Sequence, residues 1–226
     1  MGELAVIVGV GRGLSASLAR LLAREGYDLV LAARNAEKLA GLAAETGAEA
    51  VACDAADAAS VGALFAGLAQ TPSVVVYNPS WRLRGPVAEL DPDAVHKALQ
   101  ITAYGGFLVG QQAARAMLAR GAGTILFTGA SAGEKGFPLS APFAMGKFAL
   151  RGLAQSMARE LHPKGIHVAW INIDGGIRQE GREPPGEAPD AMLDPDAIAA
   201  EYLHLIRQHR SAWSNEIALR PWVERF

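Results

Sequence analysis

The sequence has one cysteine, Cys53, so it cannot form an internal disulfide bond, which fits a reducing compartment. It also lacks any apolar run near the ~20 residues that a membrane-spanning helix needs. Acidic and basic residues nearly balance to a formal net charge of −2. That charge excludes a general attraction to nucleic acid or anionic membranes, and we expect neither among the partners.

Two further patterns are missing. The chain enters a strand-like run, Leu4 to Val8, without the charged and apolar regions of a signal peptide, and we therefore expect a cytoplasmic protein. The histidines form no metal-binding pattern: His162 and His167 are five residues apart, and no cysteine or carboxylate spacing completes a site. We predict no bound metal.

What the sequence does contain is a regular alternation of short apolar runs and helical patterns over residues 1–226, which predicts one domain. Continuous apolar strands separated by helices indicate a doubly wound, mostly parallel sheet of seven strands, flanked by helices. The strands are expected at Leu4–Val8, Leu29–Ala33, a run ending at Cys53, Val74–Tyr77, Thr124–Thr128, Ile166–Ile173 and Asn215–Leu219.

Helix starts are predicted where a capping side chain precedes a helical pattern. Asp91–Pro92 and Asp194–Pro195 place a cap directly before a proline, which loses nothing at the first helical position. The expected helices begin near Leu14 and at Asn35, and cover Asp57–Gln70, Asp91–Arg120, Pro142–Leu161 and Ile198–Gln208. The segment from Arg178 to Pro189 is rich in Gly, Pro, Arg and Glu, and we expect it to be a mobile loop that shapes a substrate pocket; a plain connector is the alternative.

The first strand leads into a glycine-rich turn that precedes a helix. Glycines allow a sharp turn and close approach to a pyrophosphate, whose charge the helix N-terminus attracts. The alternative is a tight strand-to-helix turn without a ligand. The position of the turn favours a dinucleotide-binding site of the Rossmann type, formed by Gly9, Gly11, Arg12, Gly13 and Leu14.

The end of the second strand indicates which dinucleotide binds. An NAD-binding protein usually has a carboxylate there, whereas this sequence has Arg34. With Arg12 in the glycine turn, two guanidinium groups would attract a 2′-phosphate, so we expect NADP(H) rather than NAD. The alternative is that Arg34 is a solvated surface residue.

The combined pattern resembles the short-chain dehydrogenase/reductase family over nearly the whole chain. The turn Gly9-x-x-x-Gly13-x-Ser15 is similar to the family loop, with serine as the third small residue. The resemblance implies coenzyme contacts at Asp54, Asn78, Lys147, Gly175 and Ile177, with Asp174 where the family has proline.

The departures from the family pattern fall on proton transfer. The resemblance places the family's catalytic tyrosine at Phe143, four residues before Lys147, so both side chains would share a helix face. A phenyl ring cannot transfer a proton. The family's asparagine corresponds to Thr102, and its catalytic serine to Ala130 or Ser131. Some family members have Phe-x-x-x-Lys, and the chain resembles them.

Two functions therefore remain open. The first is an NADP(H)-dependent oxidoreductase acting on a small carbonyl or alcohol, with altered proton transfer from Tyr104, Ser131, Ser140 or a water held by Lys147. The second is a non-catalytic NADP(H)-binding protein, such as a sensor or partner subunit.

The resemblance also implies a homodimer or homotetramer built through the long helices. Ordinary packing on the sheet is the alternative role for the apolar residues of those helices, which are Ala113, Ala114, Ala116, Leu118, Leu150, Leu153 and Met157.

Overall fold

The computed structural model describes residues 2–179, 181, 188 and 190–224. Seven strands form one sheet in the order β3-β2-β1-β4-β5-β6-β7, and every pairing between neighbours is parallel. The prediction of a doubly wound sheet is confirmed, with no antiparallel pair among these strands. Their bounds are β1 Leu4–Val8, β2 Asp28–Ala33, β3 Glu49–Ala52, β4 Val74–Tyr77, β5 Gly123–Thr128, β6 Ile166–Ile173 and β7 Glu216–Leu219.

Helices cover both faces of the sheet because successive strand residues point to opposite sides. Val6 and Val8 belong to one core with the helices after β4 and β5, and Ile7 belongs to the other core with the first and last helices. The helices are α1 Leu14–Arg24, α2 Ala40–Thr46, α3 Ala58–Ala66, α4 Pro92–Leu99, α5 Gly105–Arg120, α6 Ala141–Leu161 and α7 Pro195–Arg207. None of the helices in the described ranges is long and apolar enough to cross a bilayer.

The two predicted Asp-Pro helix starts are present. The Asp91 carboxylate accepts a hydrogen bond from the Asp93 backbone N–H, and Asp194 accepts one from Asp196 N–H. Each cap satisfies a donor that the first helical turn leaves without a partner. Asn35 also caps, although the turn that it starts, Ala36–Leu39, is a 3₁₀ helix before α2.

Two helix predictions were wrong in detail. The helix expected to reach Gln70 ends at Ala66, with Gly67 as its C-cap. The helix expected over Asp91–Arg120 contains a π-helical segment, Gln100–Tyr104, between α4 and α5. The Tyr77 hydroxyl donates to the Ile101 carbonyl within this segment. A tertiary contact therefore accompanies the widened turn, and local sequence patterns do not report such a contact.

The apolar residues predicted to form an assembly face differ in their burial. Ala113 and Leu150 are fully buried in the core of their own chain, as the packing alternative foresaw. The large apolar side chains that these helices expose are Phe107, Leu118, Met145 and Phe148. The homodimer or homotetramer stays a prediction.

Most of the loop predicted over Arg178–Pro189, namely residues 180, 182–187 and 189, lies outside the described residues.

Candidate active site

Three neighbouring strands end at the same edge of the sheet. Val8 is paired with Tyr77, and Tyr77 with Phe127, so Gly9, Asn78 and Thr128 follow at one level. The chain order reverses between β1 and β4, which is where open α/β sheets bind ligands beyond their carboxyl ends.

The glycine-rich turn is shaped by close packing on one side and open space on the other. Gly9 has φ +82°, and a Cβ there would lie 2.6 Å from the Pro79 ring. A Cβ on Gly11 would have no neighbour within 4 Å. No side chain caps α1 at Gly13, and its first turn has no acidic residue. The helix N-terminus therefore has free donors and a positive dipole end toward the cavity, which suits a phosphate group.

Ser15 and Asn78 hold this turn against the sheet. The Asn78 amide donates to Ser15 Oγ at 2.7 Å and to the Gly9 carbonyl at 3.3 Å. Ser15 Oγ also donates to Gly9 O at 3.3 Å. The serine that replaces the family's third glycine thus has a buried polar role. We expected Asn78 to contact coenzyme, and the structure shows how its amide orders the turn that would do so.

The first cavity, about 720 Å³, lies at the ends of β1 to β4. Arg34 and Asp54 line it as expected, and Asp54 Oδ1 accepts the Ala56 N–H at 3.0 Å. Lys38 also lines it, and no pattern had singled it out. Arg12 lines a second cavity instead. The two cavities adjoin and share Asn78 and Ser80, so a common role of Arg12 and Arg34 in one coenzyme site stays a prediction. Lys38 and Lys97 are the cations that line the first cavity with Arg34.

The second cavity, about 690 Å³, lies beside the first at the same edge. It brings together residues from the glycine turn, the end of β5, helix α6 and the loop after β6. The predicted site residues among its walls are Gly11, Arg12, Gly13, Leu14, Asn78, Ser131, Phe143, Lys147, Gly175 and Ile177.

Lys147 lies at the wall of this cavity with only 2% of its surface exposed. Its Nζ donates to the Thr128 carbonyl at 2.7 Å. No carboxylate pairs with it among the described residues, and burial lowers the pKa of Lys147 to about 7. An amine with that pKa exists in both protonation states near neutral pH, as a proton-transfer group requires.

Phe143 is one helical turn before Lys147 and lines the same cavity, as the spacing predicted. The Lys147 Nζ lies 5.9 Å from its ring centroid, and the Arg82 guanidinium carbon lies 5.5 Å from it. The ring therefore lies close to two cations but has no hydroxyl to transfer a proton.

Thr102 lines neither cavity. Its buried hydroxyl accepts the Trp81 backbone N–H at 3.2 Å, and a Cβ on Gly146 would lie 2.9 Å from Thr102 Cβ. Thr102 thus holds the loop after β4 and packs against α6. The structure shows Thr102 in this supporting position, and its role in the site stays a prediction.

Of the three side chains considered as proton donors, only Ser131 lines the second cavity. Ala130 lines it as well. Tyr104 instead stacks on Phe107, with ring centroids 6.1 Å apart, and is 47% exposed outside both cavities. Ser140 is the buried N-cap residue of α6 and lines neither cavity.

The C-terminal segment supports the loop after β6. Asp174 pairs with Arg220, with Nε and Oδ2 3.3 Å apart, and its N–H donates to Leu219 O at 2.8 Å. Gly175 has φ +153°, and a Cβ there would lie 2.8 Å from Pro221 Cδ. The aspartate in place of the family's proline therefore has a partner from the far end of the chain, which no local signal predicted.

A glycine turn at a switch point, an open helix N-terminus and two adjoining cavities define a dinucleotide-binding α/β protein. Residues 3–179 match the short chain dehydrogenase family. The chain belongs to that family, whose members are oxidoreductases that use nicotinamide coenzymes.

Individual relatives agree with this assignment. The chain is similar to an uncharacterized oxidoreductase of Staphylococcus aureus (strain N315), at 25% identity over 97% of each protein. The solved structure of a short-chain dehydrogenase from Rhodopseudomonas palustris is 36% identical, with a TM-score of 0.87 over 97% of this chain and 99% of that one. A metagenomic short-chain oxidoreductase in complex with NADP is 27% identical, with a TM-score of 0.85 over 98% of each chain.

Proposed function

We propose that this protein is an NADP(H)-dependent oxidoreductase of small carbonyl or alcohol substrates in which Lys147 transfers the proton. The observation that carries the proposal is the buried Lys147 amine, which lines the second cavity with a pKa of about 7. The substituted Phe143 lies in the same wall, and unlike the nearby Arg82 guanidinium, which stays protonated, the amine can exchange a proton near neutral pH beside the position of the missing phenol.

The residues present fit the coenzyme. The uncapped N-terminus of α1 and the open side of Gly11 suit a pyrophosphate. Asp54 Oδ1 accepts the Ala56 N–H, which leaves Oδ2 to accept a hydrogen bond from an adenine amino group. Gly175 and Ile177 line the second cavity beside Lys147. When bound there, NADPH supplies a hydride to the substrate.

Arg34 and Lys38 favour NADP(H) over NAD. Both line the first cavity, and neither has a salt bridge within the described residues. A 2′-phosphate at this position would gain charge-assisted hydrogen bonds from both cations. The complex of a related oxidoreductase with NADP supports the same choice. Arg12 lines the second cavity and is then available to bind the pyrophosphate of the coenzyme.

Lys147 and Ser131 have different roles in the proposed proton transfer. The Lys147 ammonium donates a proton to the carbonyl oxygen during reduction and is left as the amine, which regains a proton from water. Its bond to Thr128 O fixes the position of Nζ, and the Ser131 hydroxyl orients the carbonyl oxygen. Tyr104 and Ser140 are not used, since they lie outside the cavity.

The non-catalytic alternative rests only on the absence of a tyrosine at Phe143. The comparisons lend it no support, because the related proteins are named as oxidoreductases or dehydrogenases.

Coenzyme binding and turnover test the proposal separately. NADPH binding is measured by calorimetry and NADPH oxidation by absorbance over a panel of carbonyl compounds. We expect Lys147→Met to bind NADPH and to lose about 10² to 10⁴ in turnover rate, the usual contribution of a general acid. Lys164→Met, at an exposed lysine paired with Glu160, is the matched control and keeps full activity. Absence of NADPH oxidation with every carbonyl, or an active Lys147→Met variant, refutes the proposal.

A further inference from the structure

The second cavity has two cations that the proposed reaction does not use. Arg82, in the loop after β4, and Lys135, before α6, both line it and are exposed to solvent. Within the described residues, neither side chain has a salt bridge or a hydrogen bond. Both charges are therefore available to a ligand.

Each cation lies over an aromatic ring of the same cavity. The Arg82 guanidinium carbon is 5.5 Å from the Phe143 ring centroid, and Lys135 Nζ is 5.5 Å from that of Phe137. Such cation–π contacts hold long side chains in place without neutralising their charge. The cavity thus combines two apolar ring surfaces with two positioned positive charges.

The two loops that carry these groups are joined. The Gly85 N–H donates to the Leu139 carbonyl at 3.0 Å, linking the Arg82 loop to the segment after Phe137. Leu139 has φ +61°, a left-handed conformation that a non-glycine residue adopts at a cost. Strain of this kind is found at ligand-binding sites, where the surrounding structure enforces it.

The negative groups of the cavity do not cancel these charges. Asp174 is already paired with Arg220. Glu224 lines the cavity and is exposed, and it forms no salt bridge in the described part of the chain. Two unpaired cations near the rings therefore face one unpaired carboxylate.

We infer that the substrate is an anionic carbonyl compound whose carboxylate or phosphate binds Arg82 and Lys135. Its apolar part packs against Phe137 and Phe143, and this places its carbonyl toward Lys147. Arginine suits such a group because its planar fork can donate two parallel hydrogen bonds to one carboxylate or phosphate. The inference rests on the proposed function for the reaction but concerns recognition of the anion, which a binding measurement can test alone.

The binding test uses full-length protein, with and without saturating NADP⁺, titrated with phenylacetate, phenyl phosphate or neutral 2-phenylacetamide. We expect at least one anion to bind about tenfold or more tightly than the amide, since a hydrogen bond to a charged group contributes to that extent. Phenylacetate and phenyl phosphate distinguish a carboxylate substrate from a phosphate substrate. Equal binding of all three probes, or no binding of either anion, overturns the inference.

Variants assign the preference to its residues. Arg82→Gln and Lys135→Gln each reduce the preference for the anion by about tenfold or more, and leave binding of 2-phenylacetamide unchanged. Arg84→Gln is the matched control, because Arg84 is exposed in the same loop but does not line the cavity. It keeps the full preference. A preference that survives in the Arg82→Gln, Lys135→Gln double variant also overturns the inference.

Turnover separates this inference from the proposed function. With NADPH, we expect benzoylformate to be reduced with kcat/KM about tenfold or more above that of its methyl ester, and Arg82→Gln to remove the difference. A charge preference in binding without any NADPH oxidation would refute the proposed reaction and leave the inference standing. Equal kcat/KM for the acid and the ester, with phenylacetate and phenyl phosphate no better bound than the amide, would refute the inference alone.

Discussion

Burial of Lys147 has a measurable effect on stability that needs no substrate. Its pKa is about 7 in the folded protein against 10.5 for an unperturbed lysine, so between these values the unfolded chain binds one proton more. The free energy of unfolding then rises with pH by about 1.4 kcal/mol per unit in this window. Between pH 7.5 and 9.5 the gain from this one group is about 2.5 kcal/mol.

Urea unfolding of coenzyme-free protein at several pH values tests this. Subtracting the Lys147→Met curve removes other titrating groups, because both proteins share them. We expect the difference, wild type minus variant, to rise by about 2.5 kcal/mol from pH 7.5 to 9.5 and to level off below pH 7. The exposed Lys164→Met difference stays flat. Parallel curves for wild type and Lys147→Met would refute the argument, since they mean an ordinary lysine pKa in the fold.

Three further changes test other parts of the site. Phe143→Tyr restores a phenol one turn before Lys147, and we expect a turnover rate about tenfold or more higher in NADPH oxidation assays; an unchanged rate contradicts the proposed cause of the altered chemistry. Arg34→Gln is expected to weaken NADPH binding by about tenfold or more in calorimetry without affecting NADH; equal losses for both coenzymes would exclude a 2′-phosphate contact. Gly9→Ala combines positive φ with a 2.6 Å clash against Pro79, and we expect ~1–3 kcal/mol of destabilisation in urea unfolding; an unchanged midpoint would contradict it.

Strand and helix positions were predictable because their causes are local. β1 and β4 are short apolar runs that the sheet buries on both faces. The Asp91 and Asp194 caps act within three residues of themselves. The π-helical turn after α4 was not predictable, since it accompanies contacts with Tyr77, which precedes it by more than twenty residues.

In the candidate site, too, the features with local causes were predictable and those with tertiary causes were not. Glycine spacing and the i, i+4 relation of Phe143 and Lys147 placed these residues in one region, as the structure has them. Lys38, Arg82 and Lys135 were missed because nothing in their local sequence marks them. Their importance comes from the cavities that they line.

The sequence by itself determined the order of strands and helices, the glycine turn and the loss of a phenol at Phe143, because periodicity, capping and side-chain chemistry act over a few residues. Only the tertiary structure decided what distant segments do to one another. It placed Lys38 beside Arg34, paired Asp174 with Arg220 and set the Thr102 hydroxyl against the loop after β4. It also buried the Lys147 amine, and that burial gives the lysine a pKa of about 7 and hence a role in proton transfer near neutral pH.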